Sequence, residues 1–255
     1  MHPDWLTPDW HARGVGAVMT TRRGGFSAAP YDSMNLRLGI GDDERAVSCN
    51  QRLLAEAVGV RPIYLEQVHG AAVVRLRASD VTPDAPVHEA DASVTTEHGI
   101  ACAVQVADCL PVLFAAPGGV GAAHAGWRGL AAGVLEATLK ALCDAANCHP
   151  ASVQAWMGAC IGPQNFEVGA DVLEAFGARP SRPGQRFRPR PAVSNESAAP
   201  KWLADLPGLA RDRLQAAGVA AVSGGQWCTV ADEARFFSFR RDKTTGRMAA
   251  LIWLR

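Results

Sequence analysis

The chain carries no net charge: 25 Lys and Arg offset 25 Asp and Glu over 255 residues. No global field favours nucleic acid or an anionic membrane, and neither is expected as a partner. No apolar stretch is long and uninterrupted enough to span a bilayer. Met1-His-Pro-Asp-Trp-Leu6 has neither a basic start nor an apolar run, so no signal peptide is expected. The seven cysteines are an odd number without framework spacing, which points to reduced thiols in a cytoplasmic protein. The chain also lacks C-x-x-C and H-x-x-x-H pairs, internal repeats and a clear linker. What remains is 48% hydrophobic and 20% charged, an ordinary balance for a globular protein that buries a core, and one domain over residues 1–255 is expected. The sequence leaves the oligomeric state open.

Short apolar runs predict strands at Val15–Thr21, Ile63–Val68, Val73–Leu76, Ala92–Val94, Ile100–Val106, Val112–Ala115, Val120–Ala123 and Val153–Met157, with closing strands at Phe236–Phe239 and Ala249–Leu254. Their spacing suggests sheets more than alternating βαβ units. Asp42 or Asp43 caps a predicted helix through Val58, with Val47, Leu54 and Val58 on one face. A long helix is predicted over about Leu130–Ala146, a short one over Gly169–Phe176, and a third over Leu206–Ala217 capped by Asp205. Residues 177–200 hold five prolines and five arginines and few residues able to anchor a core. A mobile surface loop is the expectation there, and a basic lid over an anionic substrate is the alternative.

Three of the apolar runs end in a borderline or soft ligand. Ile63-Tyr-Leu-Glu-Gln-Val-His-Gly70 ends at His69, and Ala101-Cys-Ala-Val-Gln-Val-Ala-Asp-Cys-Leu-Pro111 contains Cys109. Val120-Gly-Ala-Ala-His-Ala-Gly-Trp-Arg-Gly129 contains His124. The last run reads as a buried strand that turns on glycines and opens a helix, a corner where α/β proteins place chemistry. Two histidines and a cysteine at strand ends can converge on one metal. They can equally be strand-end residues satisfied by backbone hydrogen bonds.

The motifs carry a resemblance. Thr20-Thr-Arg-Arg-Gly-Gly-Phe-Ser27, Ser33-Met-Asn-Leu36, Gln67-Val-His-Gly70, Ala90-Asp-Ala92, Ala107-Asp-Cys-Leu-Pro111, His124-Ala-Gly-Trp-Arg-Gly129, Ile161-Gly-Pro163, Phe166-Glu-Val-Gly169 and Phe236-Phe-Ser-Phe-Arg-Arg-Asp242 occur in order along the chain. It resembles the laccase-domain proteins, also described as multicopper polyphenol oxidase-like, purine nucleoside phosphorylase or peptidoglycan-editing-factor proteins. It departs from the family pattern at Gly158-Ala-Cys160, where Gly-Pro-Ala is usual. The resemblance implies an α/β (α+β) fold, a single-domain sandwich of mixed β-sheets with flanking helices. It also implies a zinc ion held by His69, Cys109 and His124.

Three protein ligands leave a fourth tetrahedral position open, as in catalytic zinc sites, where the ion polarises a substrate atom or lowers the pKa of a water. Asp108 either orients a ligand histidine or turns away into a structural hydrogen bond, since strand alternation allows both. Arg128, at the mouth of the following helix, suits a phosphate oxygen. Gly-Trp-Arg replaces the Gly-Lys-Ser/Thr of a P-loop, so nucleotide hydrolysis is not suggested. Arg22, beside Gly24 and Gly25, is a second candidate anion contact or an exposed turn residue. Asn35 contacts a base or sugar, or caps a turn. His88, His98, Cys143, Cys148, His149 and Cys228 lack useful ligand spacing.

The resemblance implies metal-dependent action on purine nucleosides. The reactions are phosphorolysis of adenosine, inosine and methylthioadenosine with phosphate as partner, and hydrolytic deamination of adenosine. The H-x-E and P-C-x-x-C signature of zinc deaminases is absent. A hydrolase removing a misincorporated amino acid from a peptidoglycan precursor is the alternative. Copper-dependent polyphenol oxidation is disfavoured, because multicopper centres use many histidines in H-x-H pairs, and this chain has seven histidines and no such pair. A non-catalytic binding protein with a structural metal would want a fourth protein ligand, and none is evident.

Overall fold

The computed structural model describes residues 1–82, 84–190 and 199–255. Its strands form two main mixed sheets and one small one. The first main sheet runs in the order β1 (Val15–Met19), β13 (Met248–Leu254), β5 (Ile100–Val106) and β2 (Arg61–Ile63). The second runs β12 (Ala221–Gly224), β8 (Gln154–Met157), β6 (Leu110–Ala116), β7 (Gly119–Ala125), β4 (Ala92–Thr95) and β3 (Val73–Arg75). The small sheet is β10 (Phe187–Pro189), β11 (Trp202–Ala204) and β9 (Glu167–Val168).

The two main sheets face one another. Val104 and Ile252 of the first pack in one cluster with Leu113, Val120, Ala122 and Trp156 of the second. The outer face of the first sheet is covered by α1 (Glu44–Val58), where Ala101, Ala103 and Leu251 meet Leu54. The outer face of the second is covered by α3 (Val134–Ala146) and α5 (Leu206–Ala216), where Val112 and Phe114 meet Leu135, Leu139 and Leu214. A helix–sheet–sheet–helix sandwich of the α+β class results. Covering both faces of each sheet explains why β5, β6 and β7 are buried at every position and read as apolar runs interrupted only by Gln105 and His124. Each large side chain fully buried there contributes about 1.5–3 kcal/mol relative to exposure.

Local signals set several ends, and of the two caps expected for the first helix it is Asp43 that serves. Asp43 caps α1 by accepting from the Arg45 N–H, and Gly59 closes it in the left-handed region. Asp205 caps α5 by accepting from the Gly208 N–H. Four expectations need correction. The long helix is two: α2 (Trp127–Ala131) stops and α3 restarts after Gly133, whose φ of 93° no helix accommodates. The strand predicted at Ile63–Val68 ends at Ile63. Beyond it the Gln67 side chain replaces a strand neighbour, donating to the Gln105 carbonyl at 2.9 Å and accepting its N–H at 2.7 Å. Phe236–Phe239 is not a strand, because the Ser238 hydroxyl accepts from the Arg241 N–H and starts the helical turn α6 (Phe239–Asp242).

The fourth correction falls in residues 177–200. Phe187 is buried and joins the core beside Phe176, so this stretch does hold an anchor. Arg186 fixes it further, pairing with Asp212 at 2.7 Å and Asp205 at 2.8 Å. Residues 191–198, on which the loop expectation also falls, lie outside the described residues. The short helix predicted at 169–176 is α4 (Ala170–Ala175). No helix among the described residues is long and apolar enough to cross a membrane.

Candidate active site

Strand register assembles the site. In the antiparallel β6–β7 pair, Leu110 lies opposite Ala125 and Pro111 opposite His124, so Cys109, just before β6, reaches the end of β7. In the β4–β7 pair Ala92 lies opposite Ala123, which sets Asp91 beside His124; the His124 N–H donates to the Asp91 carbonyl at 2.7 Å. His69 arrives on the loop before β3. Its backbone sits at φ 63°, an uncommon conformation for a residue with a side chain.

One carboxylate holds that loop. Asp91, fully buried, accepts the backbone N–H groups of Val68 (3.2 Å), His69 (2.9 Å) and Gly70 (2.6 Å). It also binds Nδ1 of His124 at 2.7 Å. A carboxylate only accepts, so Nδ1 carries the proton and Nε2 of His124 is left as a donor atom for a ligand. The ligand atoms of His69, Cys109 and His124 then lie within 4.8 Å of one another. Cys109 Sγ is 3.8 Å from His69 Nε2, and the two imidazole rings meet edge to face with centroids 4.8 Å apart. Gly126 is needed here: a Cβ would stand 3.0 Å from Cys109 Sγ and 3.1 Å from His69 Cδ2.

Electrostatics follow from the packing. Burial pushes the Cys109 thiol up, but the charge and hydrogen bonds of His124 and His69 outweigh it and bring the thiol down to about 6. Burial likewise opposes a charge on His124, but the Cys109 thiolate and Asp91 outweigh it and raise that imidazole to about 9. Asp91 is disfavoured by burial, yet His124 and the backbone N–H groups hold it below the ordinary carboxylate value. The pocket thus favours a thiolate next to a positive charge. These three residues could hold a metal ion.

The triad lines a cavity of about 570 Å³, within the range of small-molecule sites. Arg128 is in its wall, with its guanidinium 4.5 Å from the Trp127 ring centroid. Asp108 also lines it but turns from the histidines. Held at φ 96°, it accepts from the Thr229 hydroxyl at 2.6 Å and the Arg240 N–H at 2.6 Å. The carboxylate that faces a histidine is Asp91. Arg22 does not reach the cavity, because its guanidinium donates to the Asp32 and Glu233 carbonyls and lies 4.9 Å from the Phe237 ring centroid. Asn35 is buried and spent on its own turn: it donates to the Arg37 carbonyl and Asp42, and accepts from the Arg37 and Arg247 N–H groups. The departure at Cys160 is a buried thiol in the core.

Sequence reasoning missed Asp91 and the cavity residues Arg37, Arg240, Lys243 and Arg247. Asp91 lies in the motif Ala90-Asp-Ala92, an acid set between alanines at the start of a buried strand, a pattern that names no role for it. Arg240 lay in a recognised motif but was assigned no role.

The model of the multi-copper polyphenol oxidoreductase laccase family matches residues 16–255. A purine nucleoside phosphorylase of Pseudomonas aeruginosa is 48% identical over 98% of both chains, and the purine nucleoside phosphorylase YfiH of Escherichia coli is 44% identical over 98% of both. The crystal structure of a Neisseria meningitidis protein superposes with a TM-score of 0.87 at 42% identity, covering 98% of this chain and 99% of that one. That of YlmD from Geobacillus stearothermophilus gives 0.84 at 34% identity, covering 96% and 93%. With the match running through β1 to β13 and every residue of the triad, the chain belongs to the multi-copper polyphenol oxidoreductase laccase family.

Proposed function

We propose that this protein is a zinc-dependent purine nucleoside phosphorylase acting on adenosine, inosine and methylthioadenosine, with hydrolytic deamination of adenosine as a second reaction. The observation that carries the reading is the His69, Cys109 and His124 triad in a cavity of about 570 Å³. Relatives named purine nucleoside phosphorylase at 48% and 44% identity support it.

The donor set fits zinc. A thiolate and two imidazoles are a catalytic zinc set. Tetrahedral zinc with ordinary bond lengths separates S from N by about 3.6 Å, close to the 3.8 Å between Cys109 and His69. Among the described residues this is the one such group, which favours a single ion over a multicopper centre. Zinc there would supply a Lewis acid. Asp91 fixes the His124 tautomer and the His69 loop, so the donors are oriented before any ligand arrives. Arg128 offers hydrogen-bond donors to an anion from the cavity wall. In phosphorolysis a phosphate oxygen bonds to C1′ as the C1′–N9 bond breaks, and the purine leaves with the bonding pair and takes up a proton.

The test is to incubate the purified protein with adenosine, with and without phosphate. Free adenine that requires phosphate supports phosphorolysis, and inosine supports deamination. Intact adenosine in both refutes the reading and leaves the peptidoglycan-precursor hydrolase to be assayed.

A further inference from the structure

The cavity that holds the triad is also walled by cations, one from the stretch before α1 and three from the segment around α6 and before β13. Arg37, Arg240, Lys243 and Arg247 all line it. Among the described residues, Arg240, Lys243 and Arg247 take part in no ion pair, while Arg37 is paired only with Glu66, an exposed acid, at 2.9 Å. Neutral partners hold these groups instead. Arg247 donates to the Thr245 and Gly246 carbonyls at 2.8 and 3.1 Å, and its guanidinium lies 5.6 Å from the Phe239 centroid. Lys243 Nζ lies 5.9 Å from the same ring. Arg240 donates to the Glu167 carbonyl at 3.1 Å and lies 5.4 Å from the Phe166 centroid. Both rings line the cavity.

Aromatic faces and carbonyls orient a cation without cancelling its charge. Among the described residues the one carboxylate in the wall is Asp108, which is already occupied by Thr229 and the Arg240 N–H. Lys243 sits at φ 62° at the end of α6, a strained conformation of the kind kept where a side chain must be aimed. Burial, and then the neighbouring charge of Arg37, disfavour the charged form of Arg247. Like charges held close together without acid partners are costly unless an anion joins them.

We infer that Arg240, Lys243 and Arg247, with Arg37 beside them, form a subsite for a phosphoryl group in the same cavity as the His/Cys/His triad. Planar guanidinium forks match phosphate oxygens two at a time, and the lysine adds a point charge. This deepens the purine nucleoside reading, on which the identity of the second ligand rests: the phosphoryl group is either free phosphate or the phosphate ester of a nucleotide.

The experiment titrates inorganic phosphate, adenosine and adenosine 5′-monophosphate separately into the zinc-loaded protein by calorimetry. It compares wild type with Arg247→Met, Arg240→Met, Lys243→Gln and the surface control Arg52→Met. Loss of one charged fork is expected to weaken phosphate binding about tenfold or more. The KM for phosphate in phosphorolysis should rise in parallel, with adenosine affinity, zinc content and the control unchanged. Lys243→Gln, an exposed position, should lower affinity several-fold and keeps the test valid if an arginine variant fails to fold. Tight phosphate binding, with the monophosphate no better than adenosine, assigns the site to free phosphate. A monophosphate preferred over adenosine about tenfold, with the preference erased in the variants, assigns it to the ester. Wild type that binds neither anion, or variants that bind both as well as wild type, overturns the subsite. Binding that depends on Arg247 in a protein that leaves adenosine intact keeps the subsite and removes phosphorolysis. Phosphorolysis with an unchanged KM for phosphate in Arg247→Met does the reverse.

Discussion

Asp91→Asn is nearly isosteric, yet it should disable the proposed zinc site without touching any of the three proposed ligands. Each Asp91 oxygen accepts two donors: Oδ1 takes His69 N–H and His124 Nδ1, and Oδ2 takes Val68 N–H and Gly70 N–H. With its oxygen toward His124, which keeps that tautomer, the NH₂ faces the Val68 and Gly70 N–H groups and leaves both unsatisfied in a fully buried place. Turned over, it faces the His69 N–H and can bond His124 only by moving the imidazole proton to Nε2. Hydrogen bonds to a charged group are worth about 1.5–3 kcal/mol each, so two lost bonds cost roughly 3–6 kcal/mol. Removing one partner of a buried pair gives a similar figure, about 3–5 kcal/mol. For a chain of this size that lowers Tm by roughly 6–20 °C. Loss of a carboxylate behind a metal ligand typically costs about 10–100-fold in metal affinity. Chelator competition for zinc and thermal unfolding, run side by side, measure both. Asp108→Asn is the control, since its carboxylate serves Thr229 and Arg240: it should cost stability and leave zinc affinity near wild type. Wild-type zinc affinity in Asp91→Asn, or a larger loss of zinc in Asp108→Asn, would refute the reasoning.

Further outcomes are expected elsewhere. Cys109→Ala should abolish zinc retention and turnover while the core persists, read by metal analysis and circular dichroism; full zinc occupancy would remove Cys109 from the ligand set. Gly129→Ala lies inside α2, where propensity alone gains up to about 1 kcal/mol. The added Cβ would stand only 2.6 Å from the Gly70 carbonyl oxygen, next to His69. Overpacking of about 1–3 kcal/mol should therefore win, lowering Tm and weakening zinc together; a raised Tm contradicts this. The Arg186 hydrogen bond holds the Asp212 carboxyl below its ordinary value of 3.8. Its contribution is thus present above pH 3.8 and lost as pH falls through the lowered value. With Asp212 half exposed, Asp212→Asn should cost only about 0–1 kcal/mol at pH 7. The gap in Tm between the variant and wild type should close below pH 3.8, and a gap that widens in acid would contradict the pairing.

How far these features were legible in the sequence depended on the distance over which each is set. The sequence by itself determined β5, β6 and β7 as apolar runs, a helix capped at Asp42 or Asp43 and running through Val58, and the soft or borderline ligand types after three apolar runs, because periodicity and capping act within a few residues. The motifs also carried the family, and with it the triad. Local signals misplaced the helix broken at Gly133, the helical turn started by Ser238 and the core anchor at Phe187, where burial or a cap overrode composition. Only the tertiary structure decided which carboxylate serves the histidines. Asp108, next in sequence to Cys109, is turned to Thr229 and Arg240, while Asp91, 33 residues before His124, is brought beside it by the β4–β7 register. The same holds for the cations: Arg37 precedes α1 and Arg247 precedes β13, and they share a cavity because the chain's ends enter one sandwich. Local sequence sets backbone conformation through contacts between neighbours in the chain, but charge acts through space, so the electrostatics of the site exist only after the sheets have closed.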